Sequence, residues 1–404
     1  MRQDSLLSGL GVVDLTQGIT GPYCTKLLAD YGADVVKIER PGRGDMTRRR
    51  GPFPGDRPHP EQSGLFQMLN SSKKSVTLNL KSETGRGILQ KLIASADIVV
   101  ESFRPGGADT LGAGPDAVRE VNPRAVMTSI SNFGQWGPYS GLRLTELTAY
   151  AIGMSMHSTG VPELEPMKLG GTATLFQAGN LAAAVTIATW YGVREGCPGQ
   201  HIDYSIMEAQ AASPDRNGQC LLGIAYSGDS AFRRSYARRF TILPFGAFPC
   251  ADGYAHFTTA QQNWWPNFCR IIGHPELTND PRFTGENFYN LDMIDELDTY
   301  FLPWILSQTK QEVMQKCEEI AGSPINTMED LFNDVHFRER GAFAELTHPI
   351  AGTHEFPGAP FRPGKAPWQP FPAPSLGQHN EEIMCDRMGY SRASLVKMAR
   401  AGVV

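Results

Sequence analysis

The sequence lacks the short motifs that mark several common enzyme classes. Its 404 residues contain no Gly-x-Ser-x-Gly nucleophile elbow, no phosphate-binding P-loop and no His-Glu-x-x-His zinc motif. The Gly-x-Gly fragments between Arg40 and Asp45 follow the second predicted strand, whereas a dinucleotide fingerprint follows the first strand and has longer spacing. These absences argue against a serine hydrolase, a P-loop nucleotidase, a zinc peptidase and a dinucleotide-dependent enzyme.

Cysteine and histidine patterns give no sign of a disulfide framework or a metal site. The seven cysteines are odd in number and widely spaced, with no Cys-x-x-Cys pair, which is typical of reduced thiols in a cytosolic protein. The nine histidines show no metal-ligand spacing, and His201, on a predicted strand, is interpreted as structural. We therefore expect no bound metal.

Long apolar runs are also missing. The N-terminal sequence MRQDSLLSGLGVVDL has no apolar core of signal-peptide length, and no uninterrupted run is long enough to span a bilayer. The composition, with 41% hydrophobic and 20% charged residues, is that of an ordinary globular protein. With a net charge of −5, nothing global attracts nucleic acid or an anionic membrane. The sequence predicts a soluble, cytoplasmic protein without either partner, in which a local basic cluster must bind any anionic ligand.

Strand and helix patterns alternate along the first half of the chain. A β-branched run at 11–16 predicts a strand, 23–31 a helix that stops at Gly32, and 34–38 a second strand. Further strands are predicted at 75–80, 97–100, 125–130 and 200–205, and further helices at 84–94, 115–121, 175–194 and from 207. This alternation indicates an α/β fold with a parallel sheet.

The pattern changes after about residue 225. Asp252-Gly253 lies between two apolar runs within 245–257 and predicts a hairpin. Residues 225–330 are interpreted as a smaller α+β domain. The proline-rich segment 355–377 predicts an extended arm, and one last helix is expected at about 379–402.

Three loops after predicted strands are candidate ligand sites, because open α/β sheets bind ligands at the carboxyl ends of their strands. The loop 37–50 is basic and rich in glycine, so it either binds phosphate or is simply solvated. In the loop 101–107, Phe103 and Arg104 either hold an aromatic ring or form an ordinary turn. The loop 131–138 can present backbone N–H groups to a carbonyl oxygen.

Several segments together resemble the class III CoA-transferases, which include formyl-CoA and carnitine CoA-transferases and α-methylacyl-CoA racemases. The resemblance runs in order from about residue 8 to 400. The matching segments are LSGLGVVDLTQGITGPYCTKLLADYGADVVKIERPGRGDMTR, KKSVTLNLKSETGRGILQKLIASADIVVESFRPG, ISNFGQWGPYSG, YGVREGCPGQHIDYSIMEA, FPCADGYAHF, NDPRF and PSLGQHNEEIM.

The resemblance implies a Rossmann-like, CoA-binding large domain made from both chain ends, here 1–224 and 331–404, with the small domain 225–330 between them. It also implies an interlocked ring dimer, with coenzyme A or acyl-CoA and an organic acid as substrates and no metal. The residues implied to contact CoA are Gln17, Ile19, Arg40, Leu78, Asn79, Ser102, Phe103 and Arg104. Ser102 stands where the family often has asparagine.

The chain departs from the family at the catalytic position. Active members carry a nucleophilic aspartate four residues before a glycine, at the start of the long alanine-rich helix. Counting back from Gly179 gives Leu175, and a slip of one residue gives Thr174. Neither side chain can form an acyl anhydride. The racemases need a His and an Asp, and the segment 142–147, where that His would fall, contains no histidine.

Three functions remain open at this point. The first is a subunit of a heteromeric transferase, with a donor such as succinyl-CoA, that pairs with an aspartate-bearing homologue as a heterodimer or heterotetramer. Benzylsuccinyl-CoA transferase, from the breakdown of an aromatic compound, is such a two-subunit case. The second is a homodimeric transferase that uses a relocated carboxylate, Glu163 or Glu165. The third is an acyl-CoA binding protein without turnover.

Overall fold

A computed structural model describes residues 5–160, 164–212, 216–228, 241–259, 261–317, 319–364 and 368–404. The chain forms two compact units. The sheet unit takes its described residues from the ranges 1–159, 166–232 and 341–404, and the central unit from 160–165 and 233–340. Both ends of the chain therefore belong to the sheet unit. The division at 225 and 330 stays a prediction.

Strands and helices follow one another through both units. The strands are β1 Gly11–Leu15, β2 Asp34–Glu39, β3 Lys74–Thr77, β4 Ile98–Glu101, β5 Val126–Ser131, β6 His201–Ser205, β7 Phe245–Cys250, β8 Gly253–Thr258, β9 Gly322–Pro324, β10 Phe343–His348 and β11 Gly352–Pro357. The α-helices are α1 Thr20–Asp30, α2 Gly64–Leu69, α3 Glu83–Ala94, α4 Gly107–Thr110, α5 Pro115–Val121, α6 Glu146–Ile152, α7 Ala173–Arg194, α8 Ile206–Ala211, α9 Arg216–Ser227, α10 Trp265–Ile271, α11 Ile294–Ser307, α12 Lys310–Lys316, α13 Met328–Asn333, α14 Val335–Glu339 and α15 Arg392–Arg400. Short 3₁₀ segments lie at Met46–Arg49, Pro54–Asp56, Gln262–Trp264, Pro275–Asn279, Gly285–Tyr289 and Leu291–Met293.

The first six strands form one sheet in the order β3-β2-β1-β4-β5-β6, and all of their pairings are parallel. This confirms the predicted α/β fold with a parallel sheet, and the order is the Rossmann order. Each face of the sheet is covered by an apolar cluster, which is why its strands are nearly continuous runs of buried residues. The order reverses at β1 and β4, so the loops after these strands diverge and leave a crevice.

The long helix α7 packs closely on α1. At Gly179 of α7 an added Cβ would lie 2.8 Å from the carbonyl oxygen of Thr20 and 3.1 Å from the ring of Tyr23. The Tyr204 hydroxyl donates to the Ala178 carbonyl at 2.7 Å, which ties the same turn of α7 to β6. The missing side chain at Gly179 thus lets α1 and α7 approach closely at the second turn of α7.

A segment from the far end of the chain covers the free edge of β3. The Ser75 N–H donates to His379 Nδ1 at 3.2 Å, and the Thr77 N–H donates to the Asn380 side chain at 2.9 Å. The prediction of a single helix at about 379–402 is wrong. A π-helical turn at Glu382–Arg387 ends before Gly389, whose φ of 78° no helix continues, and α15 begins after that break.

The proline-rich segment also differs in part from its prediction as an extended arm. Its first residues, up to Pro357, pair with β10 as the antiparallel strand β11. The residues that the structure describes between 358 and 375 form neither helix nor strand.

The central unit contains an antiparallel sheet with the order β7-β8-β9. The β7–β8 hairpin confirms the prediction from Asp252-Gly253, because Cys250 pairs with Gly253 across a two-residue turn. Helices α10 and α11 pack on it through a core rich in aromatic rings, including Phe257, Phe268 and Phe301. Among the described residues of both units, no helix is long and apolar enough to cross a membrane.

Candidate active site

A cavity of about 660 Å³ opens at the carboxyl ends of β1, β2, β3 and β4. Its lining contains six of the eight residues that were predicted to contact CoA, namely Gln17, Arg40, Leu78, Asn79, Phe103 and Arg104. We call it the first cavity. The structure brings these six residues together although they come from four separate loops of the sheet.

The first cavity is rich in exposed cations. Arg40 and Arg43 follow β2, Lys81 follows β3 and Arg104 follows β4. No carboxylate in the described part of the chain forms an ion pair with Arg40 or Arg104. Guanidinium groups at the end of a parallel sheet suit phosphate oxygens, so this cavity has the charge for a phosphorylated ligand.

Two other cations of the basic loop 37–50 are buried in ion pairs and do not line the first cavity. Arg48 is fully buried and binds Glu39 through two parallel contacts of 2.8 and 2.7 Å. Lys37 is also fully buried, 2.9 Å from Asp45. Neither cation faces the solvent, and Arg49 and Arg50 are exposed. Within the loop 37–50, Arg40 and Arg43 are therefore the cations that line the first cavity and remain candidates to bind phosphate.

A buried carboxylate at the end of β1 holds this ionic network together. Burial by itself raises the pKa of Asp14, but the ammonium groups of Lys37 and Lys73 and the hydroxyls of Thr16 and Thr25 lower it to about 2. Asp14 accepts from Lys73 at 3.0 Å and from Thr25 at 2.7 Å. The network keeps the β1 and β2 loops in fixed positions beside the cavity.

Sequence reasoning missed one wall of the first cavity. Asn79 donates its backbone N–H to the Val403 carbonyl at 2.7 Å and its side-chain amide to the Gly402 carbonyl at 3.2 Å. Gly402 then lines the cavity. No motif in the sequence around 402 indicates this role, because the contact joins positions more than 300 residues apart.

A second cavity, of about 530 Å³, shares Gln17, Phe103 and Arg104 with the first. It contains the two remaining predicted residues, Ile19 and Ser102. The Ser102 hydroxyl accepts from the Gln17 backbone N–H at 3.0 Å, which joins the loops after β1 and β4. Serine in place of the family's asparagine is thus used for a contact within the protein. That any of the eight residues contacts CoA stays a prediction.

Leu175 lies in the lining of the second cavity, on the first turn of α7. Thr174, the other candidate for the nucleophile position, is buried, and its hydroxyl has no hydrogen-bond partner among the described residues. The side chain presented to the cavity at this turn is therefore an aliphatic one.

A carboxylate nevertheless lies at this turn. Glu146, from the first turn of α6, accepts from the Thr174 N–H and from the Leu175 N–H, each at 3.1 Å. The Lys168 ammonium is 3.7 Å from the same carboxylate. Glu146 thus caps the N-terminus of α7 from a distance and complements its dipole.

Sequence reasoning missed Glu146, because 28 residues separate it from its partner at 174. Of the two carboxylates proposed instead, Glu165 is exposed and belongs to the central unit, and Glu163 lies outside the described residues.

The loop after β5 reaches the second cavity only through its start. Ser131 and Asn132 line the cavity, whereas the Gln135 N–H donates to both oxygens of Asp203, at 2.9 and 3.0 Å. Trp136 is 81% exposed. These contacts do not favour the prediction that the glycine-rich part of this loop presents its N–H groups to a ligand carbonyl.

A row of polar groups crosses the neighbouring strands β4, β5 and β6. Burial raises the pKa of Glu101 to about 7, although hydrogen bonds from Ser129 and the Phe103 N–H act in the opposite direction. The Ser129 hydroxyl is 2.9 Å from His201 Nε2. This contact gives one ring nitrogen of His201 a partner, and its interpretation as a structural residue stays a prediction. Among the described residues, no cluster of three His, Cys, Asp or Glu side chains is arranged for a metal ion.

Comparison with known proteins agrees with this geometry. The family model described as CoA-transferase family III matches residues 7–380. The formyl-CoA:oxalate CoA-transferase of Streptomyces coelicolor is 32% identical, over 98% of this chain and 99% of its own. The succinyl-CoA:mesaconate CoA-transferase of Haloarcula marismortui is 31% identical, over 94% of this chain and 95% of its own.

A crystal structure of another protein has a similar fold. The crystal structure of a CAIB/BAIF family protein from Brucella suis superimposes with a TM-score of 0.82 at 26% identity, covering 95% of this chain and all of that one. A parallel sheet with a cationic crevice at its switch point, together with these matches, defines the class of protein. The chain belongs to the class III CoA-transferase family.

Proposed function

We propose that this chain is a CoA-transferase subunit that binds a CoA thioester but does not itself supply the nucleophile. The observation that carries the proposal is Leu175, an aliphatic side chain that lines the second cavity on the first turn of α7. A transferase of this family needs a carboxylate that attacks the acyl-CoA carbonyl. Leucine cannot do so.

The two cavities, which share three lining residues, support the binding part of the proposal. Arg40 and Arg104 give the first cavity the charge that the diphosphate and 3′-phosphate of CoA require. The shared wall of Gln17, Phe103 and Arg104 offers a path for the pantetheine arm into the second cavity. The acyl group then lies beside Leu175.

We propose further that the chain pairs with an aspartate-bearing homologue, as a heterodimer or heterotetramer. An interlocked dimer would allow a chain without a nucleophile to supply fold and pocket walls to its partner. The donor is succinyl-CoA or a similar thioester, and the acceptor an organic acid, with benzylsuccinate from aromatic compound degradation as one candidate. Relatives named as succinyl-CoA:glutarate and succinyl-CoA:mesaconate CoA-transferases support the choice of donor.

Trapping of the covalent intermediate tests the missing nucleophile. The protein is isolated from its native host, supplied with acyl-CoA during turnover, and treated with hydroxylamine or borohydride, which mark an acylated carboxylate. Peptide mass spectrometry should find the mark on an aspartate of a co-purifying chain of similar size. A mark on this chain, or activity from this chain alone as a stable homodimer, contradicts the proposal.

The second candidate function is a homodimeric transferase with a relocated carboxylate. Glu146 favours it more than Glu163 or Glu165, because its carboxylate lies at the N–H groups of Thr174 and Leu175. Against it, both carboxylate oxygens already accept a hydrogen bond, which lowers their nucleophilicity. If Glu146 is the nucleophile, Glu146→Gln abolishes turnover and removes the trapped mark from this chain. A third candidate, an acyl-CoA binding protein without turnover, predicts binding but no mark on any chain.

A further inference from the structure

The second cavity is lined by two arginines, and one of them does not belong to the first cavity. Arg104 lies in the wall that it shares with the first cavity, while Arg143 lines the second cavity alone. Among the described residues that line it, no aspartate or glutamate occurs. The described lining of this cavity therefore includes two arginines and no carboxylate.

Arg143 has no acidic partner within the described parts of the chain. Glu146, three positions further on, is engaged by the two N–H groups at the start of α7 and by Lys168. The segment that carries Arg143 is tied to the end of β5, because the Asn132 amide donates to the Leu142 carbonyl at 3.3 Å. Arg143 therefore lies at the cavity, and no carboxylate that the structure describes forms an ion pair with it.

A buried hydroxyl in the same lining also lacks a partner. Ser131, the last residue of β5, is only 6% exposed, and its Oγ makes no hydrogen bond with any residue that the structure describes. A buried polar atom without a partner carries a desolvation cost that a ligand oxygen can remove. Ser131 and Arg143 both belong to the lining of the second cavity.

We propose that Arg143 and Ser131 form a subsite for a second carboxylate, so that the acyl groups carried here are those of dicarboxylic acids. The planar guanidinium of arginine matches a carboxylate with two parallel hydrogen bonds, and the serine hydroxyl donates to the same group. Leu175 and Ile19 supply an apolar wall for the methylene groups between the two carboxyl carbons. The inference rests on the proposed function, since the thioester end must lie in these cavities.

This subsite requires an acyl group that ends in a carboxylate. A succinyl and a butyryl group have similar chain lengths and differ mainly in that one ends in a carboxylate and the other in a methyl group. A site built around polar groups rejects the analogue that lacks the partner, because its own buried groups are then left unpaired. Arg143 therefore discriminates between the two acyl groups, whereas Arg40 acts on any CoA ester.

The test measures binding to the full-length protein as isolated, by isothermal titration calorimetry. The ligands are free CoA and the succinyl and butyryl analogues in which a methylene replaces the thioester sulfur, so that no transfer occurs. The succinyl analogue should bind at least about tenfold more tightly than the butyryl analogue, the usual effect of a charge-assisted hydrogen bond. Arg143→Gln should bring that ratio close to one without changing the affinity for free CoA.

Two further variants complete the design. Arg143→Lys, which keeps the charge but not the fork, should retain part of the preference, and the exposed Arg49→Gln should leave all three affinities unchanged. Equal binding of both analogues by the unaltered protein overturns the subsite alone, and so does a preference that survives in Arg143→Gln. If free CoA itself does not bind, the proposed function fails and the subsite fails with it.

Discussion

Replacement of Arg48 by alanine probes the buried ionic network beneath the first cavity. The Arg48 side chain makes two contacts with Glu39, one of 2.7 Å with Glu61 and one of 3.1 Å with the Pro374 carbonyl. Its guanidinium also lies 3.7 Å from the centre of the Phe66 ring. Arg48→Ala removes all of these at once and leaves a void.

The expected loss follows from what remains behind. Glu39 is 2% exposed, so its charge stays buried, and the hydrogen bonds left to it among the described residues come from the Ser75 hydroxyl at 2.7 Å and the Asp45 N–H at 2.8 Å. Removal of one partner of a buried ion pair typically costs about 3–5 kcal/mol of unfolding free energy. Because Glu39 also lines the first cavity, we expect weaker CoA binding as well.

Urea unfolding, followed by circular dichroism, measures this loss. The matched control Arg49→Ala changes an exposed neighbour and should shift the free energy of unfolding by less than about 0.5 kcal/mol. The double variant Arg48→Met with Glu39→Gln removes both charges and should be more stable than Arg48→Ala. A loss below about 1 kcal/mol for Arg48→Ala, or a double variant that is the less stable of the two, would refute this reasoning.

Three other outcomes are expected. Arg40→Ala and Arg104→Ala should each weaken CoA binding in titrations by about 1.5–3 kcal/mol, while Arg49→Ala should not, and equal losses at all three would contradict the assignment. The pKa of Glu101 is raised to about 7 in the folded protein, whereas the unfolded chain releases this proton near 4.5, so the contribution of Glu101 to stability is full below pH 4.5 and is lost as pH rises through 7. Glu101→Gln should therefore flatten the fall in unfolding free energy measured between pH 4 and 8, and an unchanged slope would be evidence against this assignment. Gly179→Ala should lower the melting temperature, because the new Cβ lies 2.8 Å from a backbone carbonyl of the facing helix, and an unchanged melting temperature would mean that α1 and α7 can separate at little cost.

The parallel sheet could be predicted because local sequence determines it. Runs such as Gly11–Leu15 and Asp34–Glu39 contain adjacent β-branched valines, are buried on both faces and are bounded by turn residues, so the observed strands lie close to the predicted ones. The last helix was mispredicted for a local reason too. Its apolar pattern continues through 379–402, but the conformation of Gly389 interrupts it.

The candidate site was predictable only where it follows strand ends. Arg40 and Arg104 come directly after β2 and β4, and the edge of a parallel sheet brings such positions together. Arg48 lies in the same basic loop, yet charge alone does not tell a buried partner of Glu39 from a ligand contact. Glu146 depends on how a loop carries α6 to the start of α7, which no periodicity encodes.

The covered edge of β3 has a consequence for the time course of synthesis. The Gly377 N–H donates to the Ser75 hydroxyl across 302 positions of sequence. At 5–20 residues per second, a ribosome needs about 15–60 s to make the intervening chain. During that interval β3 is an uncovered strand edge, which invites pairing with other chains. Variants that slow translation between β3 and residue 377 should therefore aggregate more, even where the finished protein is equally stable.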